Sequence, residues 1–445
     1  RTLRAVVDWS HDLLEPAERV VFRRLAAFAG GASPDGLRAV CAGASPEGVA
    51  VAPEEVMDLV ERLVDKSLVR SEHTGAGVRF SMLQTLVDYA AEQLSRSGER
   101  EATLVRHAQF VADRLRGARH GLIGHDQPAW FATVARERAN IESALGTAVA
   151  IGDAQLALDI VVPIGWYFFM AGEIEHGAVA LESALACEGP VEAVDRALAL
   201  ALYAWLLAYG PQVEAAVATA AQAWAMVDQF DDPWATGLIL NVYVMGLFFS
   251  GNLEAVARML PRLDEVAVAS ESRWIRAMTG VVKGEFLQFR GDADAARTLF
   301  ESAASDFDVE GDGFAYALAI TEASELFEQI GDYDMAAAML RRGIELADEI
   351  GFSGHPLAMR ARLGNVETLR GDLDAAERCH REIIEDARAS GVPWLHSMAQ
   401  LGLSAVERRR GNYDEAERLL EAAWNLPRSR AVPYMRSLVQ VARGY

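Results

Sequence analysis

Two histidines and an aspartate in the run RHGLIGHDQP, namely His120, His125 and Asp126, are the residues here most readily equipped to hold a metal ion. Imidazole and carboxylate both ligate zinc, but a structural site needs four ligands, and this run reads as a solvated linker that offers no more. Cys41, Cys187 and Cys379 lie far apart without a C-x-x-C pair, so they read as reduced, buried thiols of a cytoplasmic protein. Neither H-E-x-x-H nor G-x-S-x-G occurs. The many acidic pairs on helical segments suit solvated faces and caps, not acid–base catalysis. The expectation is a chain without catalytic, metal or cofactor residues, whose chemistry is recognition.

What must position any recognition surface is a repeat. GNLEAVA at 251, GDADAAR at 291, GDYDMAA at 331, GDLDAAE at 371 and GNYDEAE at 411 place five glycines 40 residues apart. Each phrase sits between two stretches with helical apolar spacing. Glycine just past a helix adopts the left-handed conformation that ends it, and the Asp or Asn that follows caps the next helix. Ala296, Ala336, Ala376 and Ala416 keep the second helix slim against the first. Seven residues before each glycine stand Val244, Gly284, Ser324, Gly364 and Ser404, mostly small. Near the start of each first helix stand Trp234, Trp274, Phe314, Gly354, Trp394 and Tyr434, mostly aromatic. Small residues permit close helix approach and large rings fill the gaps between pairs. Helical hairpins stacked in series account for all three patterns.

At 445 residues the chain exceeds one ordinary core, which also favours an array or several domains. Its formal charge of -22 argues against general affinity for nucleic acid or anionic lipid. Of 42 basic residues only Lys66 and Lys283 are lysines, a mark of a GC-rich bacterial genome. The uncharged run Ala197–Val213 is short for a membrane span and contains Pro211. The chain opens on Arg1 without a methionine or a secretory leader, so a piece of a longer cytoplasmic protein is expected.

The first hundred residues differ. EPAERVVFRRLAAFAG, SPDGLRAVC and PEEVMDLVERLVDKS predict three helices, SLVRSEHTGAGVRFSML a two-stranded hairpin, and QTLVDYAAEQL a closing helix. This predicts a winged helix over 1–96, followed by a helical linker over 97–127 and the array over 128–445. The helix in the usual DNA-reading position carries Glu54, Glu55, Asp58, Glu61 and Asp65 against Arg62. Such a helix is repelled by phosphates, so no direct contact with nucleic acid is expected.

Several strings resemble known families. LGNVETLRGDLDAAE and RGNYDEAERLLEAA are similar to tetratricopeptide (TPR) repeats, although the period is longer than the usual 34 residues. TLRAVVDWSHDLLEPAERVVFRRLAAFAGGASPDGLRAVCAG, LVDKSLV, RFSMLQTLVDYA and ERANIESALGTAV resemble the winged-helix and helical regions of AfsR-like and large LuxR-type regulators of the STAND class. That resemblance implies a mainly α fold, a winged helix followed by a TPR-like solenoid with a 40-residue repeat. It also implies a sensor arm for an inducer or protein partner and an upstream ATPase domain that would hold ATP or ADP. No G-x-x-x-x-G-K-[ST] occurs in this chain, so no cofactor is assigned to it. Met82, Leu83 and Gln84 stand where relatives carry M-H-D, and Leu83 cannot donate a hydrogen bond to a nucleotide.

TPR resemblance further implies that one face of each first helix lines a concave groove, selected by counting back ten, six, three and two residues from each turn glycine. The first repeat contributes Asn241, Met245, Phe248 and Phe249, and the second Glu285, Gln288 and Phe289 beside Val281. Glu325, Glu328 and Gln329 follow, with Thr321; then Asn365 among Ala361, Thr368 and Leu369; then Arg408 and Arg409 with Leu401 and Ala405. An aromatic end, an acidic middle and a basic lip suit a partner with cationic and apolar parts. The resulting expectation is the sensor and coupling region of a STAND-type transcriptional regulator. A passive TPR scaffold and a DNA-binding winged helix stand as alternatives, and the oligomeric state is open.

Overall fold

The computed structural model describes residues 3–75, 77–209, 212–351, 355–390 and 393–425, with Gln440 and Ala442. The described residues are mainly helical and fall into two compact units. One comprises Arg1–His120, Ala129–Trp166 and Glu175–Tyr203; the other comprises Gly121–Pro128, Tyr167–Ile174 and Ala204–Tyr445. Compactness therefore divides the chain differently from the expected boundaries at 96 and 127. Among the described residues no helix is long and apolar enough to cross a membrane.

The first unit begins with α1 (Leu3–Asp12), α2 (Pro16–Arg24) and α3 (Pro34–Cys41). Pro16 opens α2 where a missing N–H costs nothing, and the Glu15 N–H donates to the Glu18 carboxylate at 2.8 Å. The helix expected to stop short of Gly30 ends already at Arg24 and tightens into a 3₁₀ turn, Leu25–Ala27. Ser33 caps α3 by accepting from the Gly36 N–H. A small hairpin, β1 (Gly43–Ala44) and β2 (Ala50–Val51), precedes α4 (Val56–Asp65). The strands β3 (Arg70–Thr74) and β4 (Gly77–Ser81) pair antiparallel with Arg70 opposite Ser81, and α5 (Gln84–Arg96) follows. Phe22, Leu37, Val60, Leu63, Phe80 and Leu86 are buried in the core they share. Fully burying one such side chain contributes about 1.5–3 kcal/mol.

Next come α6 (Arg100–Leu115), α7 (Ala118–Gly121), α8 (Gln127–Ile151), α9 (Ala154–Val161), α10 (Gly165–Met170), α11 (Ile174–Leu185) and α12 (Ala193–Ala208). The string ERANIESALGTAV lies on α8, and its polar residues have structural duties in the first unit. The Asn140 side chain accepts from the Ala29 N–H at 3.0 Å and donates to the Gly31 carbonyl at 3.0 Å. Glu137 receives both guanidinium nitrogens of Arg79 from β4, at 2.6 and 3.1 Å. Gly31 has φ +80, and a Cβ there would stand 2.8 Å from the Phe80 carbonyl oxygen. The AFAGG turn, the hairpin and α8 are thus tied to one another.

In the second unit α13 (Val213–Trp224) is followed by helix pairs: α14 (Pro233–Phe249) with α15 (Leu253–Ala269), α16 (Arg273–Phe289) with α17 (Ala293–Glu310), α18 (Gly313–Gln329) with α19 (Tyr333–Ile350), α20 (His355–Arg370) with α21 (Leu373–Ser390), and α22 (Pro393–Arg410) with α23 (Tyr413–Asn425). Each helix packs on the next in chain order, and α14 also touches α16, α16 touches α18, and α20 touches α22. The five turn glycines all have φ between 76 and 88. Asn252, Asp292, Asp332 and Asp372 each accept from the N–H three residues on, which caps α15, α17, α19 and α21.

The small residues in the first helices answer to large ones opposite. A Cβ on Gly284 would lie 2.5 Å from the Phe300 ring, and one on Gly364 would lie 2.6 Å from Nε2 of His380. Trp274 and Phe314 are buried, and Trp234 stacks toward Trp274 at 5.9 Å. Gly354 and Tyr434, expected on the same beat, lie outside the described residues, as does the Trp394 side chain. A second set of left-handed turns separates the pairs at Glu271, Gly311 and Gly351, again 40 residues apart.

Candidate functional site

The face presented by the first helices of the second unit carries rings at one end. Tyr209, just beyond α12, packs on Phe249 at 5.7 Å; Phe249 lies 6.2 Å from Phe248, and Phe248 lies 6.0 Å from Phe289. Phe169 of α10 adds a ring 4.7 Å from Tyr209 and 5.5 Å from Phe314. Edge-to-face contacts of this kind stabilise the ladder beyond the area they bury.

Carboxylates follow. Glu285 on α16 and Glu322, Glu325 and Glu328 on α18 interact with one another electrostatically, and Glu285 and Glu322 both reach Tyr209. Arg362 of α20 donates from Nε to Glu328 at 3.0 Å and approaches Glu325 at 3.2 Å. No hydrogen bond or ion pair among the described residues reaches the carboxyl of Glu285 or Glu322. Burial holds Glu285 well above the usual carboxylate range, and the charges of Glu322 and Glu325 push it the same way. Burial pushes Glu322 up to about 7; Arg362 opposes the shift and Glu325 adds to it. Glu328 is raised by burial, against the pull of Arg362. Parts of both Glu285 and Glu322 still reach solvent, so they sit in an open but poorly hydrated recess.

Thirteen residues were expected on this face, and their positions differ. Phe249, Phe289, Gln329, Asn365 and Arg409 are exposed, while Phe248, Glu285, Gln288, Glu325, Glu328 and Arg408 are half-buried. Asn241 and Met245 are corrections, since both are buried. Asn241 spends its amide on the Gly237 carbonyl at 2.9 Å and the Thr279 hydroxyl at 3.1 Å, joining α14 to α16. The whole set ten residues before the glycines misses in this way except Leu401: Val281, Thr321 and Ala361 are also buried. Glu322 and Arg362, nine residues before theirs, took the open side instead. A one-residue change turns a helix by about 100°, and neighbour packing chose between the two. Tyr209 and Phe169 lie outside the counted repeats and were missed, although Phe169 stands three residues before Gly172, which has φ 72.

In the RHGLIGHDQP run His120, His125 and Asp126 are exposed, while other residues of the run pack inward. Leu122 and Gln127 are fully buried. Gln127 donates to the Leu122 carbonyl and to Asp312 Oδ1, both at 2.7 Å, and accepts from the Phe314 N–H at 3.1 Å. Trp274 donates its indole N–H to the other oxygen of Asp312 at 2.7 Å. A Cβ on Gly311 would stand 2.3 Å from Nδ1 of His125, so the segment lies tight on the α17–α18 turn. Among the described residues no group of three or more His, Cys, Asp or Glu could hold a metal ion. Just before and along α4, Glu54, Glu55, Asp58, Glu61, Arg62 and Asp65 are all exposed, which leaves its outward side acidic.

No family model matches the chain. In sequence it is similar to a presumed HTH-type transcriptional regulator of Mycobacterium bovis, with 29% identity over 358 residues, 79% of this chain and 39% of that protein. The Mycobacterium tuberculosis counterpart gives the same figures. The likeness is to transcriptional regulators. An uncharacterized M. tuberculosis protein is 39% identical over 111 residues, 25% of this chain and 27% of its own length. The chain spans well under half the length of these curated relatives. Among solved structures it is similar to a STAND protein with a tetratricopeptide repeat sensor from Pyrococcus horikoshii, with TM-score 0.48 and 13% identity, over 99% of this chain and 68% of that one. A Rap protein complexed with competence and sporulation factor gives 0.49 and 14% over 73% and 99%.

Proposed function

We propose that this chain is the sensor and coupling region of a bacterial transcriptional regulator. In this reading the helical array receives a peptide or protein signal on its first-helix face. The N-terminal helices and hairpin form a winged helix that relays the signal to an ATPase domain elsewhere in the longer protein. The observation that carries the reading is the likeness to a presumed regulator over 79% of the chain. The ring-and-carboxylate face supplies the receiving surface in this reading, and the ties from Asn140 and Glu137 to the AFAGG turn and β4 supply a stiff relay in the first unit. Coupling then requires that the signal favour one state of the regulator over the other.

The test is made in the organism that encodes the longer protein, comparing transcription with the array intact and with residues 233–425 deleted. A reproducible change in a defined set of transcripts is expected, and identical profiles would overturn the reading. The acidic side of α4 predicts no salt-dependent gel shift of random duplex DNA by this chain. A strong shift would instead favour direct DNA binding.

A further inference from the structure

The ladder of rings is left open to solvent in a way a satisfied core is not. Tyr209, Phe249 and Phe289 expose 45%, 37% and 63% of their surface while remaining linked by ring contacts. Contiguous exposed apolar surface of this kind marks an interaction site. Its charge says what would fit. Four carboxyls, Glu285, Glu322, Glu325 and Glu328, meet a single guanidinium among the described residues, that of Arg362, which is engaged by Glu325 and Glu328. Among the described residues neither Glu285 nor Glu322 has a hydrogen bond or ion pair, and only the more distant charge of Arg362 acts on Glu322.

A poorly hydrated carboxylate short of partners is unfavourable, so burial favours the protonated forms of these two groups, and a cation would favour the ionised ones. A guanidinium or ammonium would supply the missing partner, and the adjacent ring faces attract positive charge as well as apolar groups. The occupant's size follows from the spacing of the elements. Rings at the end of α12 and on α14 and α16, with carboxyls on α16 and α18, span four first helices set about 8–10 Å apart. An extended peptide of several residues, at about 3.3 Å each, covers that distance, whereas a lone amine does not.

We propose that this face takes a peptide segment carrying an arginine or lysine between apolar side chains. The cation sits among Glu285, Glu322 and Glu325, and the apolar residues lie on Tyr209, Phe249 and Phe289. The proposal rests on the sensor reading for its biological role, but the binding belongs to this chain alone. Binding expels protons from Glu285 and Glu322, because the cation favours their ionised forms. Affinity therefore rises with pH, by up to about tenfold per pH unit for each proton released, until the free carboxyls are ionised. Tyr209, Glu325, Glu328 and Arg362 are the other titratable groups facing them.

The experiment is calorimetric titration of this chain with the acetylated, amidated heptapeptide GLFRFLG at pH 6 and pH 8. Binding at pH 8 is expected to be at least tenfold tighter than at pH 6, and at least tenfold tighter than that of GLFEFLG. The variant Glu285→Gln/Glu322→Gln, checked for intact helicity by circular dichroism, should lose at least tenfold in affinity and most of the pH dependence. No binding of GLFRFLG at pH 8, equal binding of the two peptides, or an unaffected folded variant would overturn the proposal. So would arginine amide binding as tightly as the heptapeptide, since the occupant would then be a small cation. Peptide binding with unchanged transcript profiles would sink the sensor reading alone, and the reverse result would sink this proposal alone.

Discussion

Two buried groups of charges in this molecule have opposite balances. In the first unit Glu99 lies between Arg23 and Arg24, and Arg24, fully buried, also donates to the carbonyls of Cys41, Ala42, Gly43 and Ala44. Burial works against the Glu99 carboxylate, but Arg24 and Arg23 overcome it and hold the group below its usual range. On the first-helix face of the second unit, burial prevails, with Arg362 opposing it only in part at Glu322, and Glu285 and Glu322 go the other way. Where every lone pair and proton is answered, charge closes a fold. Where carboxyls outnumber cations beside open rings, the structure is left short of a partner.

The contrast can be broken most forcefully at Arg24. Arg24→Ala leaves Glu99 with Arg23 alone and takes the donor from four carbonyls, and removing one member of a buried pair costs about 3–5 kcal/mol. Urea unfolding followed by circular dichroism measures this, and a loss below about 1 kcal/mol would mean the cluster does not hold the unit together.

A smaller effect sharpens the other side. Glu322 keeps its proton to about pH 7 in the folded chain but releases it near 4.5 when unfolded. Between those values the folded state holds more protons, so stability is present below the lower value and falls as pH rises through the upper one. The loss for a half-open group is on the order of 1–3 kcal/mol. Thermal unfolding at pH 5 and pH 8 should show the wild type losing stability at the higher pH and Glu322→Gln losing much less. A wild type whose melting point is the same at both values would remove the claim of an unanswered carboxyl.

The smallest effect is a control on the scaffold. Gly331→Ala meets open space at its Cβ, so only the left-handed backbone, φ +82, is strained, at about 1 kcal/mol. Its peptide affinity should match the wild type, and a change there would show that the turns shape the face more than the side chains do.

Much of the helical punctuation was legible because it is local. A glycine that ends one helix and an Asp or Asn that caps the next act within six residues, and so they can be read from GDYDMAA without knowing any neighbour. The alanines after them, and Gly284 and Gly364 before them, were legible as small; that Phe300 and His380 were the reason was not. The candidate face was legible in part. Phe289 is exposed and Glu285, Glu325 and Glu328 are half-buried, while Asn241 and Met245 turned inward. Counting fixes position along a helix, but the rotation of its face is settled by which neighbour it packs on.

From the residues alone came where helices stop and start, the acidic outward side of α4, and the excess of carboxyls in the middle repeats, since each depends on neighbours close in sequence. Only the folded chain decided that Glu322 and not Thr321 is open, that Gln127 is buried against Asp312 some 185 residues away, and that Tyr209 joins the rings. Those outcomes depend on contacts between segments far apart in the chain, whose energies no local pattern contains.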